Sequence, residues 1–192
     1  MSGIGTIVSL SPRDYDAVLF DLDGVLTNTA AVHAAAWKRL FDSFLKRHAE
    51  ATGKPFVPFD IDSDYRLHVD GKPRYEGVKA FLESRGIQLP AGEPGDPPEA
   101  ETVHALAERK DRYFLEELEQ HGVETYASSI QLVHALREHD VATAVVSSSR
   151  NCAKVLEAAG IADLFDARVD GNDLVRLGLK GKPAPDSFLE AA

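Results

Sequence analysis

The sequence predicts an α/β fold, a parallel sheet whose strands alternate with helices and are interrupted by an inserted helical block. Residues 17–20 form a short apolar run within a predicted strand of about residues 16–21, and helical patterns extend from about residue 29 to about 125. Beyond residue 125 strands and helices alternate, which favours a parallel sheet with right-handed crossovers. We therefore expect a core domain of residues 1–28 and 126–192, and a helical domain of residues 29–125.

Three helices are predicted in the inserted block. Apolar residues at helical spacing indicate a helix from Thr29 to about Ala49, a second from Pro73 or Arg74 through Leu82, and a long charged helix from Glu99 to Gln120. The segment Leu89–Pro98 contains four prolines and two glycines, so we expect a loop there.

The core domain is predicted to contribute one strand before the insertion and two after it. The apolar run in the first strand is typical of a strand buried on both faces of a sheet. The later elements are, in order, a helix at Ser128–His139, a strand at Val141–Val146, a helix at Arg150–Ala159, a strand at Phe165–Val169 and a helix beginning at Pro185.

Composition limits the classes of function and partner. The chain carries 31 acidic and 21 basic side chains, a net charge of -10, which disfavours binding to nucleic acid or to anionic membranes. One cysteine, Cys152, excludes an intramolecular disulfide and a cysteine-rich zinc site, and is typical of a reducing compartment. The first residues do not have the pattern of a signal peptide, so we expect a cytoplasmic protein.

Two acids follow the first strand, one residue apart. Because side chains of an extended segment alternate between its two faces, Asp21 and Asp23 should emerge on one side at the carboxyl end of the strand. One carboxylate there can act as a nucleophile, while the other moves a proton or helps to hold a hard cation. The Asp23-Gly24 pair is also typical of a β-hairpin turn, but the residues after Thr27 favour a helix rather than a returning strand.

Two further motifs lie beside predicted strand ends or helix starts. Ser147 follows the strand at 141–146, and a hydroxyl beside a helix amino terminus is a natural phosphate ligand. Lys182 precedes the last predicted helix and would add a positive charge for the same phosphate. As alternatives, Ser147 is a simple cap hydroxyl and Lys182 an exposed loop charge.

The three motifs, in this order, resemble those of the haloacid dehalogenase superfamily of phosphotransferases. Within it the chain is most similar to the β-phosphoglucomutase-like subfamily. That likeness rests on Thr29–Lys38, Gly71–Arg74, Glu108–Lys110 and Ser149–Asn151. The resemblance implies a Rossmann-like core with a helical cap domain, and a small phosphorylated sugar as substrate.

The resemblance also implies roles for individual residues. Asp21 would be the nucleophile that forms an aspartyl-phosphate, and Asp23 the general acid and base. Mg²⁺ would bind the Asp21 carboxylate and the Asp23 backbone carbonyl, while Ser147 and Lys182 would hold the transferring phosphoryl group. The other implied substrate contacts are Arg74, Ser149 and Asn151 at the second phosphate, Arg150 where the mutases usually have lysine, and Thr29, His33 and Lys110 near the hinge and the sugar.

Several of these residues also have a purely structural interpretation. Arg74 would form a surface ion pair with Glu76 or Asp70, and Lys110 would lie on a solvated helix face. His33 would be a hydrogen-bonded packing residue. Trp37 is predicted to belong to the core, and Cys152 to be inert.

One expected motif is missing from the sequence. The family has an acidic pair that contributes to the Mg²⁺ shell after a further strand, and the sequence ends at Ala192 before it. We therefore expect a truncated form of a longer enzyme, with a weakened metal site and an unpaired sheet edge at Val18 and Phe20. Asp170 and Asp173 are weak candidates for replacing the missing acids.

Three functions remain open from sequence alone. The first is a phosphotransferase of the β-phosphoglucomutase type, interconverting β-glucose 1-phosphate and glucose 6-phosphate through an aspartyl-phosphate. The second is a sugar-phosphate phosphatase. The third is a non-catalytic binding module, or a fragment without the full metal site. A monomer is expected for an intact enzyme, with association through the sheet edge as the alternative for a truncated chain.

Overall fold

The computed structural model describes residues 15–192, so residues 1–14 of the predicted core domain lie outside it. The chain divides into two compact units. Among the described residues, the first comprises residues 15–29 together with Val123–Ala192, and the second comprises Ala30–Gly122.

A parallel sheet forms the centre of the first unit. Its strands are β1 (Ala17–Asp21), β2 (Ala142–Val146) and β3 (Ala167–Val169), in the spatial order β1-β2-β3. Asp21 is opposite Val146, which is in turn opposite Val169, so the three strands end at the same edge. The predicted α/β class with a parallel sheet is confirmed, and β1 is an edge strand of the sheet within residues 15–192.

Among the described residues of the first unit, four α-helices accompany these strands. They are α4 (Ala127–Glu138), α5 (Cys152–Ala158), α6 (Gly171–Leu177) and α7 (Asp186–Ala191), with a short 3-10 turn at Ala162–Leu164. The sequence pattern did not predict α6. This helix is short and begins with a capping box, in which the Asp170 side chain accepts from the Asn172 amide and Asp173 accepts from the Asp170 amide.

The second unit is helical around an aromatic core. It contains α1 (Thr29–Thr52), whose first residue belongs to the first unit, α2 (Arg74–Ser84) and α3 (Val103–His121), with a π-helical turn at Tyr65–Val69. The ring of Phe81 is buried, with its centroid 3.9 Å from that of Phe41 and 5.1 Å from that of Phe59. Trp37 stacks on Phe41 in the same core, as predicted.

The predicted start of α3 is wrong by four residues. Thr102 accepts a hydrogen bond from the amide of Ala105 and so caps the helix. The residues before it remain in a loop because the Arg109 guanidinium donates to the carbonyls of Pro98 and Ala100. The proline-rich segment before this point is a loop, as predicted.

Replacing Gly92 by alanine is expected to lower the free energy of unfolding by about 2–3 kcal/mol. Gly92 has φ +72°, and an added methyl group would meet the Asp96 carboxylate and the Thr102 hydroxyl, which are hydrogen-bonded to each other. Gly86 has a similar φ of +66° with open space around it, so Gly86→Ala is the matched control and should cost only about 1 kcal/mol. Urea unfolding of both variants measures the difference, and equal losses would contradict the prediction.

Within residues 15–192, no helix combines the length and the apolar character needed to cross a membrane.

Candidate active site

The end of β1 presents two carboxylates, with a buried leucine between them. Leu22 is fully buried, whereas Asp21 is partly exposed and Asp23 is exposed, as the alternation of side chains requires. The chain then turns tightly, because the amides of Leu26 and Thr27 both donate to the carbonyl of Leu22. Helix α1 follows directly, so the Asp-Gly pair does not form a hairpin between two strands.

Lys182 reaches the first of these carboxylates. Its Nζ lies 2.7 Å from Asp21 Oδ1 and 3.1 Å from the carbonyl oxygen of Val146. Asp21 Oδ1 also accepts a hydrogen bond of 2.8 Å from the Leu22 amide. Lys182 is therefore not a free loop charge. Its position beside Asp21 offsets the negative potential that would otherwise repel a phosphate.

Two hydroxyl groups contact the second carboxylate. The Thr29 hydroxyl donates to Asp23 Oδ1, and the Ser147 hydroxyl makes a long hydrogen bond of 3.4 Å to Asp23 Oδ2. Ser147 is fully buried at the end of β2, where its amide donates to the carbonyl of Val169. Its hydroxyl also accepts from the Ser149 amide, so Ser147 both caps a turn and faces Asp23.

The loop of residues 147–151 leads from β2 to α5. The Asn151 amide donates to the Ser149 hydroxyl at 3.1 Å, which closes a second turn. The carbonyls of Ser149 and Arg150 accept hydrogen bonds from Gly171 and from the Asn172 side chain. The predicted residues Ser147, Ser149, Arg150 and Asn151 therefore lie in one braced loop. Sequence reasoning did not identify Gly171 or Asn172.

The oxygen atoms at this edge of the sheet suit a magnesium ion that is held by few protein groups. Mg²⁺ prefers oxygen ligands and commonly keeps waters beside one or two carboxylates and a substrate phosphate. Asp21 supplies a carboxylate and Asp23 a backbone carbonyl, and within residues 15–192 no group of three or more His, Cys, Asp or Glu side chains could form a metal site. Asp170 and Asp173 do not add to this set, because their carboxylates bond to the start of α6.

In the second unit, His33 of α1 and Lys110 of α3 contact each other. Lys110 Nζ lies 2.6 Å from His33 Nδ1, and His33 stacks on Phe114 with ring centroids 4.3 Å apart. Lys110 Nζ also lies 4.9 Å from the Phe114 ring centroid and 5.2 Å from that of Trp37. Lys110 is 2% exposed, so the interpretation of this residue as part of a solvated helix face is wrong.

Burial changes the protonation of both groups. Desolvation lowers the pKa of Lys110 to about 7, with Asp111 acting in the opposite direction. Desolvation, and then the Lys110 charge, lower the pKa of His33 to about 3. The imidazole is therefore neutral at pH 7, and its Nδ1 accepts the hydrogen bond whenever the Lys110 amine is protonated.

Two other predicted residues are also placed by their contacts. Arg74 pairs with Asp111, not with Glu76 or Asp70, because Asp111 on α3 faces the start of α2. Cys152 is buried, and desolvation raises the pKa of its thiol to about 12, which fits the expected lack of reactivity.

Comparison with known proteins identifies the family. Residues 15–192 match the family of haloacid dehalogenase-like hydrolases, which is most of the chain. The chain belongs to this family. Enzymes of the haloacid dehalogenase type that act as phosphomutases or phosphatases generally use Mg²⁺.

Individual members of the haloacid dehalogenase-like family are similar over nearly the whole chain. A β-phosphoglucomutase of Mycobacterium tuberculosis is 47% identical over 181 residues, which cover 94% of this chain and 69% of the relative. A validoxylamine A 7'-phosphate phosphatase of Streptomyces hygroscopicus is 31% identical, over 92% of this chain and 70% of its own length.

A solved structure of a family member agrees with these sequence similarities. The β-phosphoglucomutase of Clostridium difficile has a TM-score of 0.61 and 25% identity, over 93% of this chain and 70% of that structure. These relatives support an enzyme of the phosphomutase or phosphatase kind.

Proposed function

We propose that the chain carries out phosphoryl transfer of the β-phosphoglucomutase type, interconverting β-glucose 1-phosphate and glucose 6-phosphate. The observation that supports this most directly is the pairing of Lys182 with Asp21, beside an Asp23 that is hydrogen-bonded to Thr29 and Ser147. Phosphoryl transfer depends on positioning and charge neutralisation, and these groups supply both at one edge of the sheet.

In the proposed first half-reaction, a carboxylate oxygen of Asp21 attacks the phosphorus of a glucose bisphosphate. The bond from phosphorus to the sugar oxygen breaks, and Asp23 gives its proton to that oxygen. Lys182 lies at the attacking carboxylate and Ser147 at the end of β2, where both can donate to the oxygens of the transferring group.

In the second half-reaction, Asp23 accepts the proton of a sugar hydroxyl while that oxygen attacks the phosphorus of the aspartyl-phosphate. The bond from Asp21 to phosphorus breaks, which restores the free carboxylate. Thr29, which donates to the Asp23 carboxylate, holds it in place for both proton transfers.

Mg²⁺ is proposed to bind at the Asp21 carboxylate and at Asp23, through its backbone carbonyl. When bound there it would neutralise negative charge on the phosphoryl oxygens. The donors are the hard oxygen ligands that this ion prefers.

The other substrate contacts remain predictions. Ser149, Arg150 and Asn151 are proposed to bind the phosphate that is not transferred, and their shared loop on the first unit supports that role. Three residues of the second unit, Arg74, His33 and Lys110, remain predicted contacts of the sugar phosphate. In the structure Arg74 pairs with Asp111, and His33 and Lys110 contact each other.

A sugar-phosphate phosphatase is the second candidate, and the similarity to the Streptomyces phosphatase favours it. In that case water, rather than a sugar hydroxyl, would take the phosphoryl group from Asp21.

One pair of assays separates the two candidates. The purified protein is incubated with Mg²⁺ and β-glucose 1-phosphate, with and without glucose 1,6-bisphosphate, while glucose 6-phosphate and inorganic phosphate are both measured. Isomerisation that requires the bisphosphate supports the mutase. Phosphate release without isomerisation supports the phosphatase. If neither product forms and Mg²⁺ with a phosphate analogue leaves the melting temperature unchanged, both catalytic proposals fail.

A further inference from the structure

A two-residue contact braces the loop of residues 147–151 from the start of α6. The Gly171 amide donates to the Ser149 carbonyl at 3.2 Å, and the Asn172 side-chain amide donates to the Arg150 carbonyl at 2.9 Å. Two consecutive carbonyls of the loop are therefore held by two consecutive residues of another element. A carbonyl oxygen can only accept, so the group of Asn172 that faces Arg150 must be its NH₂.

Gly171 makes the close approach of the two segments possible. A methyl group at this position would lie 2.5 Å from the Ser148 carbonyl oxygen and 2.9 Å from the Arg150 nitrogen. Both are backbone atoms, so the loop itself would have to move to make room. Gly171 is buried. A glycine is required at this position by the close backbone contact and not by an unusual backbone angle.

The backbone of Asn172 is held in place by a buried acid, Asp170. The Asp170 carboxylate accepts a hydrogen bond of 2.8 Å from the backbone amide of Asn172. It also forms an ion pair with Arg168 at a distance of 3.1 Å. Asp170 is 2% exposed, so the backbone at Asn172 is anchored in the interior of the unit while its side chain extends to the loop. The contact thus connects the end of β3 to the loop after β2.

We infer that Gly171 and Asn172 are positioning residues, which hold residues 149–151 of this loop in the geometry that binds the non-transferred phosphate of the substrate. This inference rests on the proposed function, because that function gives the loop its ligand. Asn172 acts through the loop backbone and not by contact with the reacting atoms. Its loss should therefore weaken substrate binding more than it slows the chemical step.

Asn172→Asp is the sharpest test. The carboxylate has nearly the same shape, suits the first turn of a helix, and cannot donate to the Arg150 carbonyl. We expect KM for β-glucose 1-phosphate, at saturating glucose 1,6-bisphosphate, to rise about tenfold, with kcat within about twofold and no loss of melting temperature. Asn172→Ala should raise KM by about three- to tenfold. Asn172→Gln, which retains the donor, should recover part of the loss.

Two further variants complete the set. Gly171→Ala should lower kcat/KM by about 100-fold, since the loop is displaced by backbone collision. Val175→Ala, an exposed position on the same helix, is the control and should change neither parameter. An unchanged KM in Asn172→Asp, or a fall in melting temperature that accounts for the whole effect, would overturn the inference.

Amide hydrogen exchange of residues 147–151 separates a failure of this inference from a failure of the proposed function. Faster exchange in Asn172→Asp than in the wild type supports the bracing contact, and unchanged exchange overturns it. If the wild-type protein converts no sugar phosphate, the proposed function fails and this exchange result alone decides whether the contact positions the loop.

Discussion

Asp21→Asn is expected to reduce phosphoryl transfer by about four orders of magnitude or more, because an amide cannot replace the carboxylate that attacks phosphorus. The substitution keeps the shape of the side chain. It also removes the charge partner of Lys182, whose amine would then retain the Val146 carbonyl as its neighbour. The rate is measured as conversion of β-glucose 1-phosphate in the presence of Mg²⁺ and the bisphosphate.

The same variant should leave the protein folded. The side chains of Asp21 and Lys182 are 39% and 27% exposed, and ion pairs with that exposure contribute little to stability. Asp16→Asn, at the opposite end of the same strand segment, is the matched control, since its side chain is exposed. It should keep full activity.

Two results would contradict the nucleophile assignment. One is an Asp21→Asn variant that retains more than a small fraction of the wild-type rate. The other is a wild-type protein, quenched in acid during turnover, in which the phosphorylated peptide does not contain residue 21. Asp23→Asn gives a graded comparison, with an expected loss of about 10²–10⁴-fold for removal of a general acid and base.

The core of this candidate site could be predicted because it follows from local rules. An apolar strand with Asp21 and Asp23 on alternate positions predicts a common side for them, and in the structure Leu22 between them is buried. Ser147 could be located because it ends a continuous apolar run, and parallel strands end at one edge.

Other features depend on contacts that the sequence pattern did not convey. Gly171 is needed because the Ser148 carbonyl lies against it, which depends on how two loops approach each other. Helix α6 is only seven residues long, and its one clear sequence signal is the Asp170 and Asp173 capping pair.

The burial of Lys110 was missed although a signal for it exists. Its sequence neighbours Glu108, Arg109, Asp111 and Arg112 are charged and indicate a solvated face. Helical spacing nevertheless places Lys110 on the same side as Leu106 and Phe114, each four residues away. The periodic position, rather than the local charge density, indicates where the side chain lies.

Lys110→Met is expected to stabilise the second unit and to change its response to pH. Burying an amine costs free energy, and a pKa near 7 in place of 10.5 corresponds to roughly 5 kcal/mol in favour of the neutral form. The aromatic rings of Trp37 and Phe114 favour the charged form by only about 0.5–2 kcal/mol. Desolvation therefore dominates, and we expect methionine to raise the free energy of unfolding at pH 7 by about 1–4 kcal/mol.

The direction of the pH effect follows from the number of protons that the folded and the unfolded chain bind. Between pH 7 and 10.5 the unfolded chain keeps a proton on Lys110 that the folded chain has lost, so stability rises as pH rises through this window. From pH 7 to 9 the gain attributable to Lys110 is roughly 2 kcal/mol in the wild type. It should be absent from Lys110→Met. His33 adds a separate window between pH 3 and 6.5, in which stability falls as pH falls.

The single tryptophan of the chain, Trp37, lies beside Lys110 and reports unfolding of this unit by fluorescence. Urea unfolding is measured at pH 7 and at pH 9. The free energy of unfolding should rise between these two pH values by roughly 2 kcal/mol more in the wild type than in Lys110→Met. Lys79→Met, on the exposed face of α2, is the control and should keep the wild-type pH response. Equal gains in wild type and Lys110→Met would contradict the assignment.

An ionisable side chain kept at such a cost in a packed interior is typical of a functional residue. If Lys110 and His33 bind the sugar phosphate as proposed, Lys110→Met should lose activity while it gains stability. KM for β-glucose 1-phosphate measured on the same samples tests this. A more stable variant with unchanged KM and kcat would leave Lys110 without its predicted role in substrate binding, although Asp21 and Asp23 would retain theirs.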